Sequence, residues 1–345
     1  MKILNTKIIG IAIIGFMVSI SSCKKEEGTT DDPNKTGPSQ EHGTNDGIKD
    51  NGNGTYSVTL GNTTFTTTKQ DFSNETVVTA PKTVGASKEG QYALSTTIQG
   101  FGIQGDFIIA GHDSKLLVYD MSANKKTDDY STSFPVTGID VNGAVMTTEG
   151  SEDVNFYSLK NGKIEKNFFK IKSVNGSKFL ATCYLDYNKA YIYDESEIVY
   201  FALDKATEST KPKVLDIPSF AKVTYSSDEK NIYFCLGQLS KPDPSDPNAA
   251  YINYSAIRVY DRSSKQFTDK NSADDEQYTG IAVDANYIYI SLADFNIVRV
   301  INKHNYSDAG SFAVDAPSYL KKIGDELFVY SANNKNIIKY KISFN

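Results

Sequence analysis

The chain repeats itself. Short apolar segments ending on or beside an aromatic recur along it: Leu116-Leu117-Val118-Tyr119-Asp120, Val154-Asn155-Phe156-Tyr157, Ile198-Val199-Tyr200, Ile257-Arg258-Val259-Tyr260-Asp261, Ile297-Val298-Arg299-Val300 and Ile337-Ile338-Lys339-Tyr340. With Tyr119, Tyr157, Tyr200, Tyr260, Val300 and Tyr340 as equivalents, the steps are 38, 43, 60, 40 and 40 residues. One step thus carries an insertion and the rest share one period. A unit this short cannot bury both of its faces alone, so stacked neighbours must cover it.

A second apolar segment precedes each marker, as in Phe107-Ile108-Ile109-Ala110, Ile232-Tyr233-Phe234-Cys235 and Tyr287-Ile288-Tyr289-Ile290. A third lies ahead of that, as in Gly138-Ile139-Asp140-Val141 and Gly280-Ile281-Ala282-Val283, and a weaker fourth strand follows in some units, such as Lys163 to Ile171. The turns have their own chemistry: Asn142-Gly143, Ser227-Asp228-Glu229-Lys230 and Gly324-Asp325 suit hairpins. Pro135, Pro218 and Pro317 stand at unit entries, where a proline removes no ladder hydrogen bond. Four strands in each unit of about 40 residues predict an all-β chain, a single β-propeller of six or seven four-stranded blades. Six units run from Ile98 to the C-terminus, and the last stops after its third strand near Ile342. Its open edge needs a partner. Either Tyr56 to Leu60 or Tyr92 to Thr96 is expected to close the ring.

The pattern resembles the YVTN and NHL-like propeller repeats. Tyr287-Ile288-Tyr289-Ile290-Ser291, then Asn296-Ile297-Val298-Arg299-Val300, then Ala316-Pro317, follow that repeat from strand to strand to the next blade. Ser226 to Tyr233 resembles its turn into the second strand. The resemblance covers residues 98–345 and weakens in units one and three, which lack the proline. No tryptophan-aspartate or paired-glycine signature accompanies it.

The N-terminus reads as a processing signal. Lys2 and Lys7 precede an apolar run from Ile8 to Ile20, too short to span a membrane comfortably. Ile20-Ser21-Ser22-Cys23 resembles the bacterial lipobox, which implies a signal peptide over 1–22 and lipid on the Cys23 thiol. Several acyl chains on one residue hold a protein on a bilayer stably. Lys24-Lys25-Glu26-Glu27 resembles the surface-export signal of Bacteroidota lipoproteins, implying an outer-membrane location, cell-surface exposed or facing the periplasm. Residues 23–54 are then a flexible linker, since almost nothing apolar is present to offset the entropy of folding. The propeller is assigned to 55–345.

Composition narrows the chemistry. The formal charge is −6, and loss of the signal with its two lysines makes it −8, without a basic face for nucleic acid. After the linker only His112 and His304 remain, in different units, so no histidine-rich metal site is expected. Cys183 and Cys235 lie inside predicted strands, where a buried thiol is the commoner state, although export permits a disulfide. No glycine-rich phosphate loop opens a helix, no serine is marked as a nucleophile, and no cofactor is expected. The absence of tryptophan sets aside the quinone-dependent propeller enzymes.

The segment that departs most from the repeat is the insertion Leu239 to Ala256, LSKPDPSDPNAAYINYSA. Its three prolines are expected to keep it out of the sheet, as a stiff loop presenting Asp243, Asp246, Tyr251 and Tyr254 to a ligand or partner. Tyr191, Tyr193 and Tyr289 are expected to pack between blades. The leading expectation is a non-enzymatic binding module at the cell envelope, engaging a protein partner or small ligand, in the setting of an outer-membrane uptake system. The alternative is a hydrolase or lactonase using channel carboxylates such as Asp140 and Asp284, which occupy similar places in units two and five. Three or more carboxylates or amides at one channel mouth favour the alternative; an apolar channel counts against it.

Overall fold

The computed structural model describes residues 47–80, 82–150, 153–172, 180–194, 197–203, 213–216, 222–242, 251–274 and 276–345. The signal peptide, Cys23 and nearly all of the proposed linker lie outside these residues. The chain divides into two units, Met1–Gly43 and Thr44–Asn345, and every described residue belongs to the second.

Strand follows strand. A small sheet comes first: β1 (Ile48–Asp50), β2 (Thr55–Leu60) and β3 (Thr63–Thr68). Then β4 (Val84–Ala93) precedes the repeats. Blade one is β5 (Phe101–Gln104), β6 (Phe107–His112), β7 (Lys115–Asp120) and β8 (Lys125–Ser131). Blade two is β9 (Val136–Val141), β10 (Val145–Glu149), β11 (Asp153–Lys160) and β12 (Lys163–Lys172). Blade three is β13 (Leu180–Leu185), β14 (Lys189–Asp194), β15 (Glu197–Ala202) and β16 (Lys213–Asp216). Blade four is β17 (Lys222–Ser227), β18 (Asn231–Pro242), β19 (Tyr251–Asp261) and β20 (Phe267–Asp274). Blade five is β21 (Tyr278–Val283), β22 (Tyr287–Leu292), β23 (Ile297–Asn302) and β24 (Asp308–Ala313). Blade six is β25 (Pro317–Ile323), β26 (Glu326–Ser331) and β27 (Asn336–Phe344), completed by β4.

Each blade is an antiparallel meander, and the first strands of consecutive blades pack side by side around an axis, with β25 returning to β5. The molecule is a six-bladed β-propeller. Six apolar clusters sit between the six pairs of neighbouring blades. Tyr191 and Tyr193 pack against Tyr225 and Phe234 of the next blade, and Tyr289 packs between blades five and six, as expected. This position explains the sequence pattern. All six residues of β22 are buried, because sheets cover both of its faces. The outer strand β8, KKTDDYS, is mostly half-buried or exposed, and its charges blunt an open edge.

The ring closes through β4, which runs antiparallel to β27 from Val84↔Phe344 to Ala93↔Asn336. Of the two stretches expected to close it, only Tyr92 and Ala93 belong to the closing strand. The strand begins eight residues before Tyr92. Tyr56 to Leu60 forms β2 of the small sheet, so the second alternative holds in part, with the bounds corrected from 92–96 to 84–93. The strand escaped notice because an outermost strand buries little: in VGASKEGQYA only Tyr92 is fully inside.

The antiparallel meander fixes which loops share a face. Turns between first and second strands lie at one end of the blades, here called the first-turn face. Links between second and third strands lie at the other. The segment before β4 is bound to the first-turn face. Val58, Leu60 and Phe65 enter the cluster of blades two and three, and Tyr56 lies 4.6 Å from Tyr187 between ring centroids. Asn142 accepts from Thr68 N at 2.7 Å and donates to Thr68 O at 3.0 Å. Residues 69–80 then cross the face as a strap. Phe72 N donates to Glu229, Val78 N donates to Asn286, and Asn302 and Asn305 donate to Val78 O and Thr79 O.

Gly143 makes this contact possible. Its φ is +75°, and a Cβ there stands 1.7 Å from Thr66 O. Gly143→Ala is therefore expected to lift β1–β3 off blades two and three, at a cost of roughly 1–3 kcal/mol. Denaturant unfolding, with limited proteolysis of residues 47–80, checks this; an unchanged midpoint and an uncut segment contradict it.

Candidate functional site

Where the axis meets the first-turn face there is a basin of about 890 Å³, lined from all six blades and from the strap. That size falls in the range of about 300–1,000 Å³ usual for ligand pockets. Its walls come from the ends of first strands and the turns that follow: Gln104, Asp140, Asn142, Asp186, Asp284 and Lys321 among them. Gln70, Phe72 and Glu75 of the strap line one side. Each blade supplies a short stretch, from Ser227 alone in blade four to Val283–Tyr287 with Tyr289 in blade five, so a polar site forms from segments scattered over the whole chain.

The turns explain the recurrent aspartates. Asp228 Oδ1 accepts from Lys230 N and Asn231 N, and Asp284 Oδ1 accepts from Asn286 N and Tyr287 N, in Asx turns that shape the hairpin. The second oxygen of each is then free for longer reach. Asp228 Oδ2 takes the Tyr233 hydroxyl at 2.8 Å and the Lys303 ammonium at 3.0 Å. Asp284 Oδ2 takes the Tyr289 hydroxyl at 2.5 Å, with Lys322 Nζ at 3.9 Å. Asp186 meets Arg262 at 2.5 Å. Asp140 sits between Lys321 Nζ at 2.5 Å and Leu185 N at 2.8 Å.

Ionisation follows from these contacts. Burial opposes charge on Asp228, but the Lys303 ammonium and the hydrogen bonds outweigh it, so the carboxyl is held below its ordinary value. Burial, then the Asp284 charge, raises the Tyr289 phenol, which stays a donor. Burial also lowers Lys322 against the pull of Asp284. Among the described residues, no three His, Cys, Asp or Glu side chains group as metal ligands.

Below the basin, on the axis, lies a pit of about 50 Å³ lined from all six blades by Gly138, Thr182, Thr224, Tyr225, Ile281 and Tyr319 among others. Tyr184 and Lys321 line both spaces. The mouth is thus polar while the channel beneath is narrow, with apolar and small polar walls.

The residues singled out in the sequence fare unevenly. Asp140 and Asp284 do share the mouth, but not equivalent positions. Asp140 lies inside β9 opposite Met146, whereas Asp284 follows β21 as the first residue of its turn. The insertion in blade four is corrected. Its described ends, 239–242 and 251–256, do not leave the sheet but lengthen the hairpin, with β18 and β19 pairing outward through Leu239↔Tyr254 to Pro242↔Tyr251. Pro242 is tolerated because it stands at the last pair of the ladder. Tyr254 is half-buried on the cluster of blades three and four, with Lys241 Nζ 5.2 Å from its ring centroid, and so packs rather than presents. Asp243 and Asp246 lie outside the described residues, and Tyr251 is placed only by its backbone in β19. The hairpin projects from the face opposite the basin. Cys183 and Cys235 are free and buried, and burial pushes the Cys235 thiol up to about 12.

No family model matches the sequence, and no curated protein is similar to it. Among solved structures, the β-propeller domain of Myceliophteria thermophila Cps50 (Swd1) is similar, with a TM-score of 0.50 at 10% identity. The match covers 75% of this chain and 100% of that one. At that identity the likeness shows the propeller fold alone.

The pair Asp228–Lys303 is nearly enclosed, with side chains 3% and 8% exposed. Asp228→Asn is expected to cost roughly 3 kcal/mol at neutral pH, because it leaves Lys303 buried without its counter-charge. A carboxyl held below its unfolded value of about 3.9 stabilises the fold above that pH, and the contribution fades as pH falls through the folded value. Urea midpoints of wild type and variant should therefore converge on going from pH 7 to below about pH 3. A gap that stays constant with pH contradicts the assignment.

Proposed function

We propose that the protein is a lipid-anchored envelope protein, held through Cys23, whose propeller is a non-enzymatic binding module with the basin as its ligand site. The observation that carries the binding part is the state of the mouth carboxylates. Asp140 and Asp186 are each matched by a cation within 2.5 Å, and Asp284 is saturated by a phenol and two turn amides. General acid–base work needs a carboxyl free to exchange protons with a substrate. Groups already locked in place serve instead as a rigid, shaped wall, which is what recognition requires. The anchoring part is supported by Ile20-Ser21-Ser22-Cys23 and the charged run after it. An outer-membrane position, on either side, is the corresponding setting.

The hydrolase reading draws on the same mouth, because five carboxylates (Glu75, Asp140, Asp186, Asp284 and Asp325) and the amides of Asn142 and Asn286 line it together. Turnover of lactone or ester substrates, lost in Asp284→Asn and Asp140→Asn, overturns the binding reading in its favour.

Two measurements check the proposal. Metabolic labelling with an alkynyl fatty acid should mark the wild-type chain and not Cys23→Ala; equal label on both refutes the anchor. Native mass spectrometry of the protein extracted from its own membranes should reveal a bound small molecule, lost when Gln104→Trp fills the basin. An identical spectrum for the two refutes the site.

A further inference from the structure

We propose that the basin and the pit beneath it form one site for a neutral, polyhydroxylated ligand, a saccharide, with one hydroxyl-bearing arm lodged in the pit. This rests on the basin being a binding site and adds what it binds.

The argument starts from polar atoms the fold leaves unused. Thr182 Oγ1, Thr224 Oγ1 and the Tyr225 hydroxyl are buried without a hydrogen-bond partner, and all three residues line the pit. The Thr182 and Tyr225 hydroxyls are near neighbours, as are the Thr224 hydroxyl and the Cys235 thiol, yet neither pair meets in a full hydrogen bond. Tyr225 is 7% exposed. Buried hydroxyls without partners each cost the fold roughly 1–3 kcal/mol, so native interiors hold few of them. Three such residues line one axial space of about 50 Å³. That space fits one or two groups of water size, a water taking about 30 Å³. A hydroxymethyl arm matches it, since a hydroxyl both donates and accepts.

The basin adds the same chemistry over a wider area. The Tyr287 hydroxyl and Gln104 Oε1 are also buried and unpartnered, and both residues line it; Tyr287 itself is 4% exposed. The charges nearer the axis are spoken for: Lys321 by Asp140, Lys322 by Gly324 O and Asp284. Glu75 stands exposed at the rim. What remains available inside is uncharged, an amide oxygen and four hydroxyls, and the stacked pair Tyr287–Phe344, 3.7 Å between centroids, gives one wall an apolar face. An anion entering the basin finds no free cation among the described residues and loses its hydration, and the free carboxylate open to a cation, Glu75, stands out at the rim. A saccharide supplies hydroxyls for the unused oxygens and C–H faces for the rings.

Tyr225→Phe separates this from a structural role. It deletes one hydroxyl that bonds nothing in the protein, so thermal stability should hold or rise slightly. Lipid-free protein from Cys23 onward is probed on an array of neutral glycans, and hits are titrated by calorimetry. At least one neutral glycan should bind, and Tyr225→Phe and Thr182→Val should each weaken it about tenfold, the value of one hydrogen bond of 1.4 kcal/mol. Glycans carrying uronate or sulfate on the arm that enters the pit should not compete. No neutral binder, or a binder indifferent to both variants, overturns the inference. If native mass spectrometry still finds a charged or apolar molecule that Gln104→Trp expels, the basin remains a binding site and only the saccharide assignment falls. If nothing is found there either, both fall together.

Discussion

The pairing of β4 with β27 is the interaction on which the rest of the structure depends. A propeller blade covers its neighbours' apolar faces, and a ring with a gap exposes two of them at once. Here the gap would open Phe328, Tyr330 and Ile337 on the last sheet and the Phe101, Ile108 and Ala110 side of the first. The seam is covalent in effect, because the strand that completes blade six comes from the segment just before blade one. Every inter-blade cluster, and with it the spacing of the first strands around the axis, presumes that the seam holds. At the axis that spacing is close: a Cβ on Gly280 would stand 2.0 Å from Ser318 O of the next blade.

The two faces of the ring are put to different uses. On the first-turn face the chain before β4 is held mostly by side-chain amides, which reach out from the turns to the strap's backbone. Asn142, Asn286, Asn302 and Asn305 each do this. The turns of Asn142 and Asn286 are also those whose Asp140 and Asp284 wall the basin, so there the device that seats the segment also shapes the cavity beside it. On the other face blade four extends its middle hairpin. The basin and a projecting hairpin therefore occupy opposite ends of the ring.

The blades were legible because their second and third strands are buried on both sides, and such strands read as apolar runs at a fixed spacing. Tyr287 to Leu292 is the plainest case. The closing strand was not legible beyond Tyr92, since Ser87, Lys88 and Glu89 sit at a solvated edge and carry no pattern. The insertion misled for a related reason. Its prolines argue against a strand, yet Leu239 and Tyr254 continue the alternation that Leu236 and Ala256 begin, and burial of Leu239 decides the matter. The basin left no local signature at all. Its members are short stretches at the ends of first strands, some forty positions apart, and Asp140 and Asp284 stood out only because both were carboxylates near first strands. The unpartnered hydroxyls of Thr182, Thr224 and Tyr225 belong to first strands whose sequence pattern speaks of packing, and only their convergence on the axis distinguishes them.

Hydrogen exchange followed strand by strand tests the closed ring most directly. Global protection is shared by strands that open together, while frayed edges exchange through local motion. If β4 completes blade six, the amides of Gly85 to Tyr92 that bond to β27 should exchange as slowly as those of β26 and β27, and all should lose protection together as denaturant is added. Fast exchange in Val84–Ala93 against a protected β27 would contradict closure, and with it the six-bladed ring.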